Sequence, residues 1–273
     1  METKSEKELA FLQDLYIATD WGERFAELVD EHVELPEKGR ALYVQAGTGS
    51  HALALQERAG EKLEITCVDQ NEECLEVARA KALAVHESAK FQCENAKSLS
   101  FGDGQFDLVL GNSSFTLPRD LKDFLAEMVR VTKPGGTMAW WLPTFSSFGE
   151  FFSIYWEALQ SSGVTDHGAD VEHLITDLPS VSDIEHWVEA AGVQDVVSWT
   201  AIEEFDFESG EQFFNSPLIT DFLLPNWLES IPGPAQKKVM DELTRIIDEE
   251  RHSGDFALTL KATLVVGKKS PVQ

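Results

Sequence analysis

Apolar positions recur at helical spacing from the first residues onward. Leu9, Leu12, Leu15 and Tyr16 form one set and Trp21, Phe25, Leu28, Val29 and Val33 a second, with Ala18-Thr19-Asp20 between them, so two amphipathic helices are expected. Pro36 and Gly39 end this region, and Ala41–Val44 opens as a short buried strand. After the glycines at 47 and 49, Ala52, Leu53, Leu55 and Ala59 predict a helix that stops at Gly60. The pattern then alternates between the two periods. Leu63–Val68, Lys90–Cys93, Phe106–Gly111 and Thr137–Leu142 read as strands, and Asn71–Val85 and Asp120–Thr132 as helices. Residues 144–191 read as helices and loops, Val193–Phe207 as a strand, and two further helical stretches lead to a long final strand ending at Lys269.

Strands separated by helices imply βαβ units, and hence an α/β fold with a doubly wound, mostly parallel sheet and helices on both faces. Neither a repeat nor a linker rich in Pro, Gly or Ser divides the chain, so one domain over 1–273 is expected. Within it, 1–38 supply N-terminal cap helices, 39–143 a ligand-binding core, 144–191 a helical insertion, and 192–273 the strands and helices that complete the sheet.

Composition narrows the function classes. With 48 acidic against 22 basic residues the net charge is −26, which repels a phosphate backbone and argues against nucleic acid as a partner. No run approaches the roughly 20 apolar residues of a membrane span, and the charged start METKSEKELAF is unlike a signal peptide, so no membrane partner and a cytoplasmic location are expected. Cys67, Cys74 and Cys93 lack C-x-x-C spacing and read as free thiols, with no metal site.

The stretch LYVQAGTGSHALALQ, Leu42 to Gln56, carries the chemistry. Glycines at 47 and 49 let the backbone turn tightly and approach a ligand, and the following helix offers free N–H groups at its start. Gly47-x-Gly49-x-x-Ala52 fits the dinucleotide fingerprint, and Asp69, twenty residues after Gly49 at a strand end, is placed to accept both hydroxyls of a ribose. NAD and other adenosine-bearing cofactors satisfy this much equally. Asp69 also reads as a helix-capping acid beside Asn71.

LYVQAGTGS, ITCVDQNEE, CENAKSLSFGDGQFDLVLGNSSF and EMVRVTKPGGTMAW occur in one order and at one set of spacings, which resembles the class I S-adenosylmethionine-dependent methyltransferases. The likeness covers Ala41 to Leu142, and the final strand is similar to the reversed edge strand of that family. It implies a seven-stranded, Rossmann-like sheet, S-adenosylmethionine as cofactor with S-adenosylhomocysteine as product, and methyl transfer to a small-molecule acceptor. On this resemblance Gln45, Ala46, Gly47 and Gly49 line the methionine end of the cofactor, Asp69 holds the ribose, Gln70 and Glu94-Asn95-Ala96 meet the adenine, and Asn112 and Ser113 face the sulfonium. Three positions depart from the family pattern. Gln45 and Asn95 replace acids, and His51 replaces a third glycine; Gln and Asn keep an acceptor oxygen but not the charge.

Methyl transfer from a sulfonium needs alignment and, for some acceptors, removal of a proton. No catalytic residue is assigned by the sequence. His167, His173 and His186 are candidate bases or surface histidines, and Trp140, Trp141, Phe145, Phe148, Phe151, Phe152, Tyr155 and Trp156 line an acceptor pocket or pack the insertion. Tyr16 and Trp21 either close over the cofactor or pack the core. A nicotinamide-dependent oxidoreductase and a non-catalytic, cofactor-binding relative remain as alternatives.

Overall fold

The computed structural model describes residues 4–87, 89–164, 167–250 and 256–271. The chain divides into two compact units, the first comprising Met1–Leu142, Val181–Thr200 and Thr263–Gln273, the second Pro143–Ser180 and Ala201–Ala262.

In the first unit α1 (Glu6–Leu12) starts from a capping box in which the Ser5 hydroxyl accepts the Glu8 N–H and the Glu8 carboxylate accepts the Ser5 N–H. It runs without interruption through a π-helical stretch, Gln13–Trp21, into α2 (Gly22–His32). The expected break at Ala18-Thr19-Asp20 is therefore a widened turn of one continuous helix. No proline interrupts the backbone there, and Leu12, Gln13 and Gly22 all keep right-handed helical angles. The Thr19 hydroxyl donates to the Leu15 carbonyl, so its polarity is met inside the helix rather than by a loop. Ile17 and Trp21, four residues apart, are both buried.

The sheet consists of β1 (Gly39–Val44), β2 (Leu63–Asp69), β3 (Lys90–Cys93), β4 (Phe106–Asn112), β5 (Thr132–Pro143), β6 (Val193–Phe207) and β7 (Phe256–Lys269), in the order β3-β2-β1-β4-β5-β7-β6. The pairs β1–β2, β1–β4, β2–β3 and β4–β5 are parallel. The expected doubly wound sheet is thus the one observed, with its direction of winding reversing at β1, where β4 and β2 flank it. The final strand is not at an edge. Leu258, Leu260, Ala262, Leu264 and Val265 of β7 are fully buried, as suits an inner strand, whereas β6 leaves Val197 and Ile202 exposed and forms the edge.

Helices α3 (Ser50–Ala59), α4 (Glu72–Val85) and α5 (Leu121–Val131) follow β1, β2 and β4. Val131 is the last residue of α5 and Thr132 already pairs with Phe106, so Lys133-Pro134-Gly135-Gly136 forms a bulge within the β4–β5 ladder before Thr137 pairs with Leu108. Gly135 there has φ of 78°, and Lys133 Nζ donates to both Asp107 oxygens at 2.7 Å.

Helix α6 (Gly149–Ser162) and α7 (Gly168–Thr176) belong to the second unit, whereas α8 (Val181–Ala190) belongs to the first, so residues 144–191 are shared between the two. The second unit adds α9 (Gly210–Asn215), a π-helical turn Leu218–Leu223, α10 (Leu224–Trp227) and α11 (Gly233–Glu250), which packs on α6. Its core is aromatic. Phe151 stacks on Trp227 at 4.5 Å and on Phe213 at 5.5 Å, and the Tyr155 hydroxyl donates to the Trp227 carbonyl at 3.1 Å. Phe148, Phe151, Phe152 and Tyr155 are therefore packing residues, while Phe145 and Trp156 lie half-exposed.

Candidate functional site

The chain leaves β1 through Gln45, Gly47 and Gly49, with φ of 57°, 56° and 77°. A non-glycine residue in this region is strained, and here Gln45 is held by its side chain, whose Oε1 accepts the Thr116 hydroxyl at 2.9 Å. Three bonds fix the turn. Ala46 N–H reaches Val68 O at 3.0 Å, Gly49 N–H reaches Ala46 O at 3.0 Å, and Gly47 N–H reaches Asp69 Oδ2 at 2.8 Å. A Cβ on Gly49 would stand 2.9 Å from the Ala78 Cβ, so close packing against α4 demands glycine. Helix α3 begins at Ser50 with no side-chain cap, which leaves the N–H groups of its first turn to a ligand.

A cavity of about 380 Å³ lies over this turn, within the first unit. Ala46 to His51 form one side, and Asn112 at the end of β4 with Ser114 and Phe115 beyond it form another. Gln13, Ile17, Trp21, Phe25 and Asp30 of the N-terminal helical run cover it, and Tyr43 of β1 and Trp141 of β5 form its back. Trp21 stacks on Phe115 at 5.2 Å, and Trp141 meets the edge of Tyr43 at 5.5 Å.

Of the residues the sequence pointed to, Ala46, Gly47, Gly49 and Asn112 line this cavity. Gln45, Asp69, Gln70, Asn95, Ala96 and Ser113 do not, although all stand at or just beyond the same ends of β1, β2, β3 and β4. Ser113 is fully buried and its hydroxyl accepts the Trp140 indole N–H at 2.8 Å, which assigns Trp140 to the core. Asn95 is exposed and its Oδ1 accepts the Lys97 N–H at 2.9 Å, holding a turn that places Ala96 inside. Asp69 spends one oxygen on Gly47 and the other on Asn71 N–H at 2.9 Å. Burial pushes its carboxyl above the ordinary range, and the N–H groups of Asn71, Gly47 and Gln70 oppose that rise. A carboxylate has about four acceptor positions, so acceptor capacity remains for a ribose hydroxyl. Trp21 lines the cavity, whereas Tyr16 is half-exposed and does not; His167, His173 and His186 lie elsewhere.

Sequence reasoning missed Tyr43, His51 and Asp30, which stand in a hydrogen-bonded row on the cavity wall. His51 drew notice only as a missing glycine. A tyrosine in β1 and a histidine in the first turn of the next helix were the available signal; Asp30 gave none.

The left-handed glycine turn, the uncapped helix start and a carboxylate with spare acceptor positions together fit an adenosine-bearing cofactor with an amino-acid end. Residues 41–136 match the family model described as a methyltransferase domain. This stretch thus supports the resemblance to the class I S-adenosylmethionine-dependent methyltransferases. The motif order from Ala41 to Leu142 that resembled this family is thereby borne out. A demethylmenaquinone methyltransferase of Deinococcus radiodurans is 34% identical over 146 residues, 52% of this chain and 59% of that protein. The chain thus matches little more than half the length of that relative. Among solved structures, the YcgJ protein of Bacillus subtilis superposes with a TM-score of 0.59 at 19% identity, covering 91% of this chain and 99% of that one. A phosphoethanolamine N-methyltransferase of Haemonchus contortus, solved with phosphomonomethylethanolamine and S-adenosylhomocysteine, gives a TM-score of 0.55 at 15% identity over 99% of this chain and 62% of its own. At these identities the two structures speak for the fold.

Proposed function

We propose that the protein transfers a methyl group from S-adenosylmethionine to a small-molecule acceptor. The observation that carries this reading is the continuity of one cavity from the glycine turn, through Asn112 and Ser114 at the end of β4, to the aromatic wall of Trp21, Phe115 and Trp141. A cofactor on the turn then presents its reactive end to an apolar slot suited to a flat acceptor. Ala46, Gly47, Gly49 and Asn112 contact the cofactor from the cavity side, and Asp69, Gln70, Asn95 and Ala96 from the ends of β2 and β3. Gln45 and Ser113 hold the backbone just beyond the ends of β1 and β4. The cofactor supplies a methyl group on a leaving group that is already activated. The chain supplies alignment and exclusion of water.

Free thiols at Cys67, Cys74 and Cys93 support a cytoplasmic enzyme, and the acidic surface favours a small acceptor over a nucleic acid. Among the described residues no helix is long and apolar enough to cross a membrane. Calorimetry tests the reading directly. Saturable binding of S-adenosylmethionine and S-adenosylhomocysteine without a response to NAD is expected; the reverse pattern would make the protein an oxidoreductase.

A further inference from the structure

The polar row on the cavity wall has a defined direction. The Tyr43 hydroxyl lies 3.1 Å from His51 Nδ1, and His51 Nε2 lies 3.1 Å from Asp30 Oδ1, an oxygen that Arg58 also engages. A carboxylate only accepts, so in the neutral imidazole the one ring proton sits on Nε2 and Nδ1 keeps its lone pair. Tyr43 must then donate its O–H to Nδ1. That leaves the phenol oxygen of Tyr43 with acceptor positions only, and Tyr43, His51 and Asp30 all border the cavity. A group that meets Tyr43 from the cavity is therefore met as a hydrogen-bond donor.

Taking the methyltransferase reading as its basis, we propose that Tyr43, His51 and Asp30 form a proton relay that accepts the hydroxyl proton of an aromatic acceptor as its oxygen is methylated. Tyr43 is the residue that touches the acceptor; His51 and Asp30 act through it. As the acceptor oxygen forms its bond to the methyl carbon, the sulfur–methyl bond breaks and its electron pair stays on sulfur. The acceptor proton passes to Tyr43 Oη while the proton of Tyr43 passes to His51 Nδ1. The imidazolium so formed faces the Asp30 carboxylate and later releases its proton to solvent.

The surroundings suit each part. The hydrogen bond from His51 is the main force holding the Asp30 carboxyl below the usual range, with burial opposing and Arg58 adding to the effect, so Asp30 stays charged. Burial pushes the Tyr43 phenol far up, so it passes a proton on without holding an anion. Glu23 and Glu27 of α2 border the same cavity and Cys67 of β2 stands against Tyr43; none of these disfavours a cation at His51. The ordinary value of an imidazole, about 6.5, lies closer to that of a phenol, about 10, than to that of an aliphatic alcohol, so a phenol is the acceptor whose proton this row takes more easily. The stacked Trp21–Phe115 pair and Trp141 flank the place where a flat ring brings its hydroxyl to Tyr43.

The test reads the proton on a bound phenol. para-Nitrophenol is titrated into the full-length protein saturated with S-adenosylhomocysteine, and its phenolate band gives the ratio of phenolate to phenol. In the native protein that ratio should exceed the free value at the same pH by about tenfold, one pKa unit. Tyr43→Phe keeps the ring and the His51–Asp30 bond and should return the ratio to the free value, with S-adenosylhomocysteine affinity unchanged. His51→Gln should do the same. A Tyr43→Phe protein with the native ratio would show that the row only braces α2 and α3 against β1, and would overturn the relay. So would the absence of saturable para-nitrophenol binding in a protein that binds S-adenosylhomocysteine. Failure to bind S-adenosylhomocysteine is a different result and removes the methyltransferase reading itself.

Discussion

Asp69 Oδ2 accepts the Gly47 N–H at 2.8 Å, tying the last residue of β2 to the turn that follows β1. Its other oxygen accepts the Asn71 N–H, whereas the cap of α4 falls to Asn71, whose Oδ1 accepts the N–H groups of Glu73 at 3.0 Å and Cys74 at 3.2 Å. The two readings open for Asp69 in the sequence are thus separated. The neighbour caps the helix, and Asp69 fixes the turn while retaining acceptor positions. Burial raises its carboxyl, so the folded state takes up a proton more readily than the unfolded chain and this group contributes stability that is lost as pH rises. A partly buried charge kept at a cost to the fold marks Asp69 as a candidate ligand contact.

Asp69→Ala should weaken S-adenosylhomocysteine binding roughly 10- to 150-fold, the worth of about 1.5–3 kcal/mol in hydrogen bonds to a charged group. It should also lower stability, because the Gly47 and Asn71 N–H groups lose their acceptor, with partial relief from removing a half-buried charge. Asn71→Ala should cost about 1 kcal/mol through the lost cap and leave affinity intact. Isotherms and melts on both variants decide it. Unchanged affinity in Asp69→Ala reduces Asp69 to a tether.

Gly49→Ala should destabilise the protein more than Gly47→Ala. Both glycines have positive φ, which costs an alanine about 1–2 kcal/mol. At Gly49 the new Cβ also meets the Ala78 Cβ at 2.9 Å and the Phe91 ring at 3.1 Å, whereas at Gly47 it meets the far end of the flexible Gln13 side chain. Thermal melts of the two variants check the order, and equal losses would mean that α4 yields freely to Gly49.

Periodicity located the seven strands and the helices α3, α4 and α5 because each follows from a local pattern, such as the largely apolar run through Leu63–Val68 or the stop at Gly60. What it missed depends on contacts across the chain. The π-helical run through Ala18 leaves no mark in composition, since its residues are ordinary helix formers. The inner place of β7 is set by which strands pair, although the five fully buried residues from Leu258 to Val265 are its trace. Motif spacing reached the ends of the strands, where Gly47, Asp69 and Asn112 stand. It did not reach Asp30, which meets His51 only because α2 lies across α3.

Phe151→Ala should lower stability by about 3–5 kcal/mol, because the ring is fully buried between Trp227 and Phe213 in the second unit. A chemical denaturation curve measures it. Near-native stability with a selective loss of acceptor binding would return Phe151 to the acceptor pocket and contradict its assignment to packing.

The segment that carries Asn95 and Ala96 is pinned by Glu127, and this pin should release with acid. Glu127 accepts the Leu99 N–H at 2.7 Å and pairs with Arg130, whose guanidinium also donates to the carbonyls of Leu99 and Phe101. The Arg130 hydrogen bond is the main cause that holds the Glu127 carboxyl below its ordinary range, against burial and with help from the Leu99 N–H. A carboxyl lowered on folding contributes stability that is fully present above its unfolded value, about 4.3, and is lost as pH falls through the folded value. Glu127→Gln keeps an acceptor for Leu99 but gives up the charge opposite Arg130. It should cost about 1–3 kcal/mol at pH near 7, and the gap from the native protein should close as the pH drops below about 4. Because Leu99 and Phe101 lie three and five residues after Ala96 on the same segment, S-adenosylhomocysteine affinity should fall in the same variant. Melting curves across the acid range together with one isotherm test both halves. A gap that stays constant with pH would show that the pair with Arg130 adds nothing to the fold, and unchanged affinity would detach this segment from the cofactor site.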